Sequence, residues 1–292
     1  MLEKIRRRLF WPLVLPAAIL YVLVLIIPMV QTLLYSFTNR SMESSFQFVG
    51  LKNYINAFND PYFFSALKHT FIYAFVSLIL LFVPALFLAW CLGKPIRFKR
   101  FYRIVIFAPE VLSILVTSLV WKFMLHPNWG LINTFLRAIG LDALTTPWLG
   151  NPNTALLAVI IASVFHSMGM YVVLLSAGLE RIPPELYDAA KIDGANDRQQ
   201  FIYVSLPLLW EVLRSLLVLW IIHAIQAFAW VFVLTQGGPM GSTEVAATYV
   251  YSIAFVSYDF GYATALATIM MLIIFAILWF VNRLLHREAY EF

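Results

Sequence analysis

Phe71-Ile72-Tyr73-Ala74-Phe75-Val76-Ser77-Leu78-Ile79-Leu80-Leu81-Phe82-Val83-Pro84-Ala85-Leu86-Phe87-Leu88-Ala89-Trp90-Cys91-Leu92 runs without a charged residue. A helix needs about 20 mostly apolar residues to cross the hydrocarbon core of a bilayer, so this stretch reads as a membrane span. It is one of six. Reading apolar runs by length and ending them at charge clusters, Pro or Gly gives candidate helices at about 11–37, 66–92, 104–125, 153–178, 208–235 and 262–284. The expected fold is an all-α, polytopic membrane protein with six transmembrane helices. Pro16, Pro28, Pro84 and Pro109 lie in or near these runs, where neighbouring helices can satisfy freed carbonyls, so they read as kinks and not as breaks.

Composition agrees. The 292 residues are 62% hydrophobic and 12% charged, with mean hydropathy +0.83, against roughly 45–50% apolar and about 25% charged in soluble domains. After six spans and their loops the length leaves no room for a sizeable soluble domain, so residues 1–292 read as a single membrane domain. The single cysteine, Cys91, excludes an intrachain disulfide and a cysteine-clustered metal site. A pI near 9.3 is no sign of nucleic acid here, because the basic residues sit in short clusters beside apolar runs. One such cluster, Lys4, Arg6, Arg7 and Arg8, precedes an apolar stretch too long for a signal core of about 7–15 residues, and reads as the flank of a retained first span.

Those clusters orient the chain. One side collects fifteen of the 20 Lys and Arg residues, the other holds Arg40, Lys52, Lys68 and Arg137, and Lys122 falls inside a span. Cytoplasmic loops retain positive charge, so both termini are expected in the cytoplasm. The opposite loops carry Trp129, Trp148, Tyr249, Tyr251 and Tyr258, aromatics that favour the interface. Apolar residues at Ile132, Phe135, Leu136 and Ile139 have helical spacing, and a short surface helix and a plain loop both fit them.

The longest cytoplasmic connection runs from Glu180 to Leu206. Pro183 and Pro184 can open a helix, since proline's missing N–H costs nothing in the first turn. Glu185 and Asp188 place negative charge near the positive end of its dipole. Ala189, Ala190 and Lys191 continue it, and Asp193-Gly194 stops it, because glycine accepts the left-handed conformation at a helix end. A second short amphipathic stretch follows, and Pro207 starts the next span.

Tyr187-Asp188-Ala189-Ala190-Lys191-Ile192-Asp193-Gly194-Ala195, with Val204-Ser205-Leu206-Pro207, resembles the EAA loop of ABC importer permeases: Glu-Ala-Ala, three residues, Gly, nine residues, Ile-x-Leu-Pro. Every spacing matches, with Asp188 in place of the glutamate and Val204 in place of the isoleucine. Leu234-Thr235-Gln236-Gly237-Gly238-Pro239, then Thr243 and Tyr249 to Phe255, resembles an outer loop of the carbohydrate-uptake permeases of the MalF/UgpA type. Gly50-Leu51-Lys52-Asn53-Tyr54 and Gly261-Tyr262-Ala263-Thr264-Ala265 extend that likeness over nearly the whole chain.

The resemblance implies a division of labour. No Gly-x-x-x-x-Gly-Lys-Ser/Thr loop occurs to cradle ATP phosphates, and the family binds ATP and Mg on a separate cytoplasmic ATPase dimer, so no cofactor is expected on this chain and no enzymatic activity. Glu185, Tyr187, Asp188, Ala189, Ala190, Asp193 and Gly194 are the expected ATPase-coupling residues. A second homologous permease subunit, an extracytoplasmic solute-binding protein and surrounding membrane lipid are the other expected partners, in a prokaryotic inner membrane. The implied function is sugar import by alternating access. The alternatives are a permease for glycerol-phosphate-type solutes and a self-sufficient secondary transporter with Glu110 as proton carrier.

Polar residues inside spans usually face a bundle interior or a water-filled cavity. His223, Gln226 and Trp230 fall within about 60° on one face of an uninterrupted helix, offering hydroxyl partners and a flat wall for a sugar ring, or equally hydrogen bonds between helices. Glu110 is expected near the cytoplasmic end, neutralised by Arg100 and Arg103. Lys122, with His126 on the same face, is expected to snorkel outward. His166 completes the substrate-path candidates, along with Lys122. No spacing of His, Asp, Glu or Ser points to nucleophilic catalysis or a metal site.

Overall fold

The structure is a computed structural model that describes residues 12, 14–41, 47–225 and 227–285. Gln226 and the basic cluster at residues 4–8 therefore lie outside the described residues. Among the described residues four helices are long and apolar enough to cross a membrane: α1 Val14–Tyr35, α3 Pro61–Gly93, α7 Ala155–Glu180 and α12 Phe260–Leu285. They coincide with four of the expected spans. Short helices α2 Lys52–Phe58 and α6 Leu131–Ala138 accompany them, the second settling residues 132–138 as helix with Ile139 at its C-cap.

The other two expected spans are not single helices. Between α4 Lys99–Val111 and α5 Ile114–Met124 the axis turns by 99°, because Leu112 and Ser113 are extended and the Ser113 hydroxyl caps the new helix by accepting from the Val116 N–H. The expected straight helix over 104–125 and the mild kink at Pro109 are thus corrected. The reason is local: proline supplies no N–H, and a serine able to restart a helix follows four residues later. The expected helix over 208–235 is divided as well. α9 Asp197–Leu208 and α10 Trp210–Ile225 meet at 66°, and α11 Phe228–Leu234 starts afresh after Ala227, whose ψ of 29° is not helical.

Two prolines are handled by the same device. Val22–Ile26 and Phe201–Ser205 are π-turns, each ending two residues before a proline, Pro28 and Pro207. The Ile27 and Leu206 N–H groups reach back five residues to Val22 and Phe201, which widens the helix where the ring would collide with the preceding turn.

The chain divides into two compact units, residues 1–61 with 250–273 and residues 62–249 with 274–292. In the first, Asn53 donates to the Ser36 and Thr38 carbonyls at 2.9 and 2.8 Å, and Gly261, where any Cβ would collide with that same Thr38 carbonyl, donates to Arg40. Tyr262 donates to Asp60 at 2.7 Å. The Gly50–Tyr54 and Gly261–Ala265 stretches, far apart in sequence, therefore form one hydrogen-bonded cluster with α2 at its centre.

In the second unit α7 is the central element. Its buried face includes Ala158, Ala162, His166, Gly169, Tyr171 and Val172, and a Cβ on Gly169 would stand 2.5 Å from the Ile106 carbonyl oxygen, so α4 and α7 touch backbone to backbone. α3 fixes the ends. His69 near its start meets the Glu244 carbonyl at 3.0 Å, while Lys94 just past its end pairs with Asp197 at 2.8 Å. About 24 helical residues, or about 36 Å, separate these contacts, so the Gln236 to Glu244 loop and the Glu180 to Leu206 loop lie at opposite ends of the bundle.

Candidate functional site

Only Arg181 to Pro183 separate α7 from α8 Pro184–Ile192, which opens on Pro184. Gly194 at φ +81° follows it, with Gly194 N–H bonded to the Lys191 carbonyl and Ala195 N–H to the Ala190 carbonyl. This is a Schellman ending, whose glycine satisfies carbonyls that the helix leaves over. Asn196 then caps α9 through a reciprocal box with Gln199. The Asn-x-x-Gln spacing announced that box and was missed in the sequence.

Glu185, Asp188, Ala189 and Ile192 are the solvent face of α8, at i, i+3, i+4 and i+7, and Ile192 is 87% exposed. Ala190 and Tyr187 turn toward the chain, where the Tyr187 hydroxyl meets the Ser205 hydroxyl at 2.9 Å. Asp193 and Gly194 are exposed at the turn. Ile192 was the residue of this face that sequence reading left unassigned. A cleft of about 570 Å³ runs beneath it, walled by Trp90, Glu180, Tyr187, Gln200 and Phe201. Polar groups around it are matched: Lys94 with Asp197 and over the Trp90 ring at 4.2 Å, Lys191 with Asp188 at 3.0 Å, and Arg103 with Glu180.

That last pair corrects one expectation. Arg103 and, at 3.6 Å, Lys99 serve Glu180, and the buried Oε2 of Glu110 has no hydrogen-bond partner. Arg103 and Glu110 sit on the one helix α4, seven residues and so about 10 Å apart along its axis, and the guanidinium takes the acid brought to it by α7, Glu180.

The buried polar residues near mid-α7 form a second site. His166 stands edge-on to Trp230 with ring centroids 5.3 Å apart, and faces the Pro109 carbonyl. Tyr171 contacts Phe82 at 5.4 Å and Trp220 at 5.9 Å, and lies within electrostatic reach of Glu110. Besides Glu110 Oε2, His166 Nδ1 and Trp220 Nε1 are buried without partners. Of the substrate-path candidates the structure thus brings His166 and Trp230 together. His223 is exposed on α10, before the interruption that separates it from Trp230, so the continuous face drawn through both does not exist. Lys122 is exposed, with Nζ 3.4 Å from the Val233 carbonyl at the end of α11, where a cation complements the helix dipole. His126 instead stacks on Trp129 at 4.0 Å.

At the far end of α3, Thr235 and Thr243 share a hydroxyl contact at 2.8 Å, Thr243 donates to the Gly238 carbonyl, and Gly237 at φ +84° lies against Glu244. Burial raises the Glu244 carboxyl above the usual glutamate range, opposed by the Thr248 hydroxyl and His69.

Apolar helices packed around a buried polar wall, with a short helix carried on the loop beyond α7, define a membrane-embedded helical protein of the transporter-subunit class. The chain belongs to the family of binding-protein-dependent transport system inner membrane components, whose model matches residues 82–289. It is 37% identical to a probable ABC transporter permease protein, YurN of Bacillus subtilis, over 89% of this chain and 90% of that one. It is 35% identical to the diacetylchitobiose uptake system permease protein NgcF of Streptomyces coelicolor, over 92% and 80%. The fold is shared with a chain in the crystal structure of a bacterial ABC transporter that imports the acidic polysaccharide alginate, at TM-score 0.86 and 23% identity, covering 97% of this chain and 98% of that one.

Proposed function

We propose that this chain is one of two homologous permease subunits of an ATP-driven sugar importer, with α8 as the helix through which a cytoplasmic ATPase dimer drives alternating access. The observation that carries this reading is α8 itself: a capped helix with one exposed face, Glu185, Asp188, Ala189 and Ile192, separated from a central membrane helix by three residues. A small alanine beside an apolar Ile192 lets a groove approach closely, and the two acids give it charges to match. The sugar class is supported by named relatives such as NgcF and the multiple sugar-binding transport system permease protein MsmF of Streptococcus mutans, 35% identical over 90% of both chains. The crystal structure that includes a pentasaccharide-bound periplasmic protein supports a binding protein at the end opposite α8. In this reading both termini and α8 are cytoplasmic, the six spans include the two broken ones, and the wall of His166, Tyr171, Trp220 and Trp230 lines the solute path.

Gly194→Val tests the coupling. A Cβ at Gly194 meets nothing within 4 Å, so the substitution acts through its positive φ, where a β-branched residue is strained by about 1–2 kcal/mol. In proteoliposomes holding all partner chains, ATP-dependent sugar uptake is expected to fall at least about tenfold while insertion and assembly persist. Undiminished uptake would exclude the proposed role of α8. Uptake by this chain alone on an ion gradient would overturn the importer reading entirely.

A further inference from the structure

We infer that a groove between α3 and α10 binds one anionic phospholipid of the leaflet at the α8 end, with an acyl chain in the groove and the phosphate on Arg214. The site needs only the membrane embedding of the chain and stands apart from the role proposed for α8. The groove holds about 310 Å³, and its walls include Ile79 and Val83 of α3, Leu213 and Arg214 of α10, and the hydrogen-bonded Trp210 and Leu285. Among the described residues that line it, Arg214 alone is charged.

The groove is polarised along its length. α10 opens on Trp210 just after the α9 connection, so Arg214, about one turn on, lies toward the α8 end, where Trp210 Nε1 donates to the carbonyl of Leu285, the last residue of α12, at 3.0 Å. Ile79 and Val83 stand about 21 and 15 Å back from the end of α3 at Gly93, at 1.5 Å per residue. Both belong to a stripe that α3 leaves exposed at four-residue spacing, Phe71, Phe75, Ile79, Val83 and Phe87, so an acyl chain can enter from the bilayer side. At the mouth Arg214 Nη2 donates to Asn282 Oδ1 at 3.3 Å, while Nη1 stands 3.7 Å from Glu211, too far for a hydrogen bond. Most of the five N–H donors of that guanidinium are left for a further acceptor. Arg283, the residue after Asn282, lies over the ring of Trp279 at 5.4 Å, and that ring is exposed. Two guanidinium groups against one carboxylate make the mouth net positive, and a guanidinium fork takes phosphate oxygens two at a time. A basic pocket between membrane helices, beside tryptophans at the interface, is the general form of an anionic headgroup site.

The test places the assembled transporter, with its partner chains, in phosphatidylcholine nanodiscs that carry a small, equal fraction of one lipid with a diazirine in its acyl chain. Phosphatidylglycerol, phosphatidylethanolamine and phosphatidylcholine analogues are compared, and labelled peptides are mapped by mass spectrometry. The phosphatidylglycerol analogue is expected to label the peptides holding Ile79 to Val83 and Leu213 to Leu217 about fivefold more than the phosphatidylcholine analogue. Arg214→Gln should bring the two to parity with the phosphatidylcholine labelling unchanged, which shows the groove intact, and Arg214→Lys should keep a preference. Equal labelling by all three lipids, or a preference that Arg214→Gln leaves as it was, overturns the headgroup contact and the site with it. Preference for the phosphatidylethanolamine analogue would give the mouth to a zwitterionic lipid, its ammonium on Glu211, and overturn the anionic one. Labelling at Phe71 and Phe75 with the groove peptides silent would mean that protein covers the groove, which also overturns the site. None of these outcomes bears on the uptake assays that decide the importer reading.

Discussion

In the Glu180 to Leu206 loop, Lys94 answers Asp197, Lys191 answers Asp188, Asn196 answers Gln199, and Tyr187 answers Ser205. At the Pro109 to Ser113 bend and the α7 wall facing it, Glu110, His166 and Trp220 each keep an atom without a partner. Both regions interrupt straight helices beside α7, and they treat polarity in opposite ways. A buried polar group without a partner bears its full desolvation penalty, roughly 1–3 kcal/mol, whereas a completed hydrogen bond adds only about 1 kcal/mol net. The loop is thus held by bonds made within this chain, in the one shape that the proposed coupling to a partner would need. The bend is left incomplete, as the proposed solute path would require.

The largest effect that bears on this contrast is expected at the contact supporting the bend. Gly169→Val places a side chain against the Ile106 and Phe107 backbone, which cannot rotate away, so overpacking of at least about 1–3 kcal/mol follows. Loss of the monodisperse detergent-solubilised complex on size exclusion is the expected result; unchanged yield would show that α4 is loosely held. A smaller pair of substitutions sharpens the contrast itself. Glu110→Met, which removes an unsatisfied oxygen at similar volume, should raise the thermal midpoint of the solute-free complex, whereas Tyr187→Phe, which breaks the Ser205 contact, should lower it by an amount equivalent to about 1 kcal/mol. Shifts of the same sign in both would erase the distinction.

The smallest expected effect lies at the opposite end of α3, in the Glu244 turn. Burial raises the Glu244 carboxyl, so across the window from the ordinary glutamate range up to its raised value the folded turn binds more protons than the unfolded chain. Stability therefore falls as pH rises through that window and levels off above it. Hydrogen exchange of the backbone from Thr235 to Glu244 should accelerate over this interval beyond the intrinsic pH dependence, and Glu244→Gln should remove the excess.

Much of this was written openly in the sequence. Long uncharged runs such as Phe71 to Leu92 have one physical solution in a bilayer, and four long apolar helices stand where length and polarity placed them. The Pro-Pro opening and Asp-Gly ending of α8 are local signals that depend on few distant contacts. The broken spans were not legible, because a proline inside an apolar run is compatible with a kink as well as a break; Ser113 restarting the helix decides between them, and a lone serine in such a run gives little warning. His223 and Trp230 were joined by a periodicity that assumes an unbroken helix, which the ψ of Ala227 ends. The partner of Glu110 was sought among its neighbours in sequence, while the partner of Arg103 came from Glu180, 77 residues away.

Gly169 bears on how force crosses the molecule. Where two helices meet through side chains, rotamer changes can take up a small displacement. Between α7 and α4 no side chain intervenes at this point, and α7 continues into α8 through three residues. Under the coupling role proposed for α8, a thrust delivered there would arrive at the bend along a rigid strut with almost no slack, and the distance between the two ends would set the leverage.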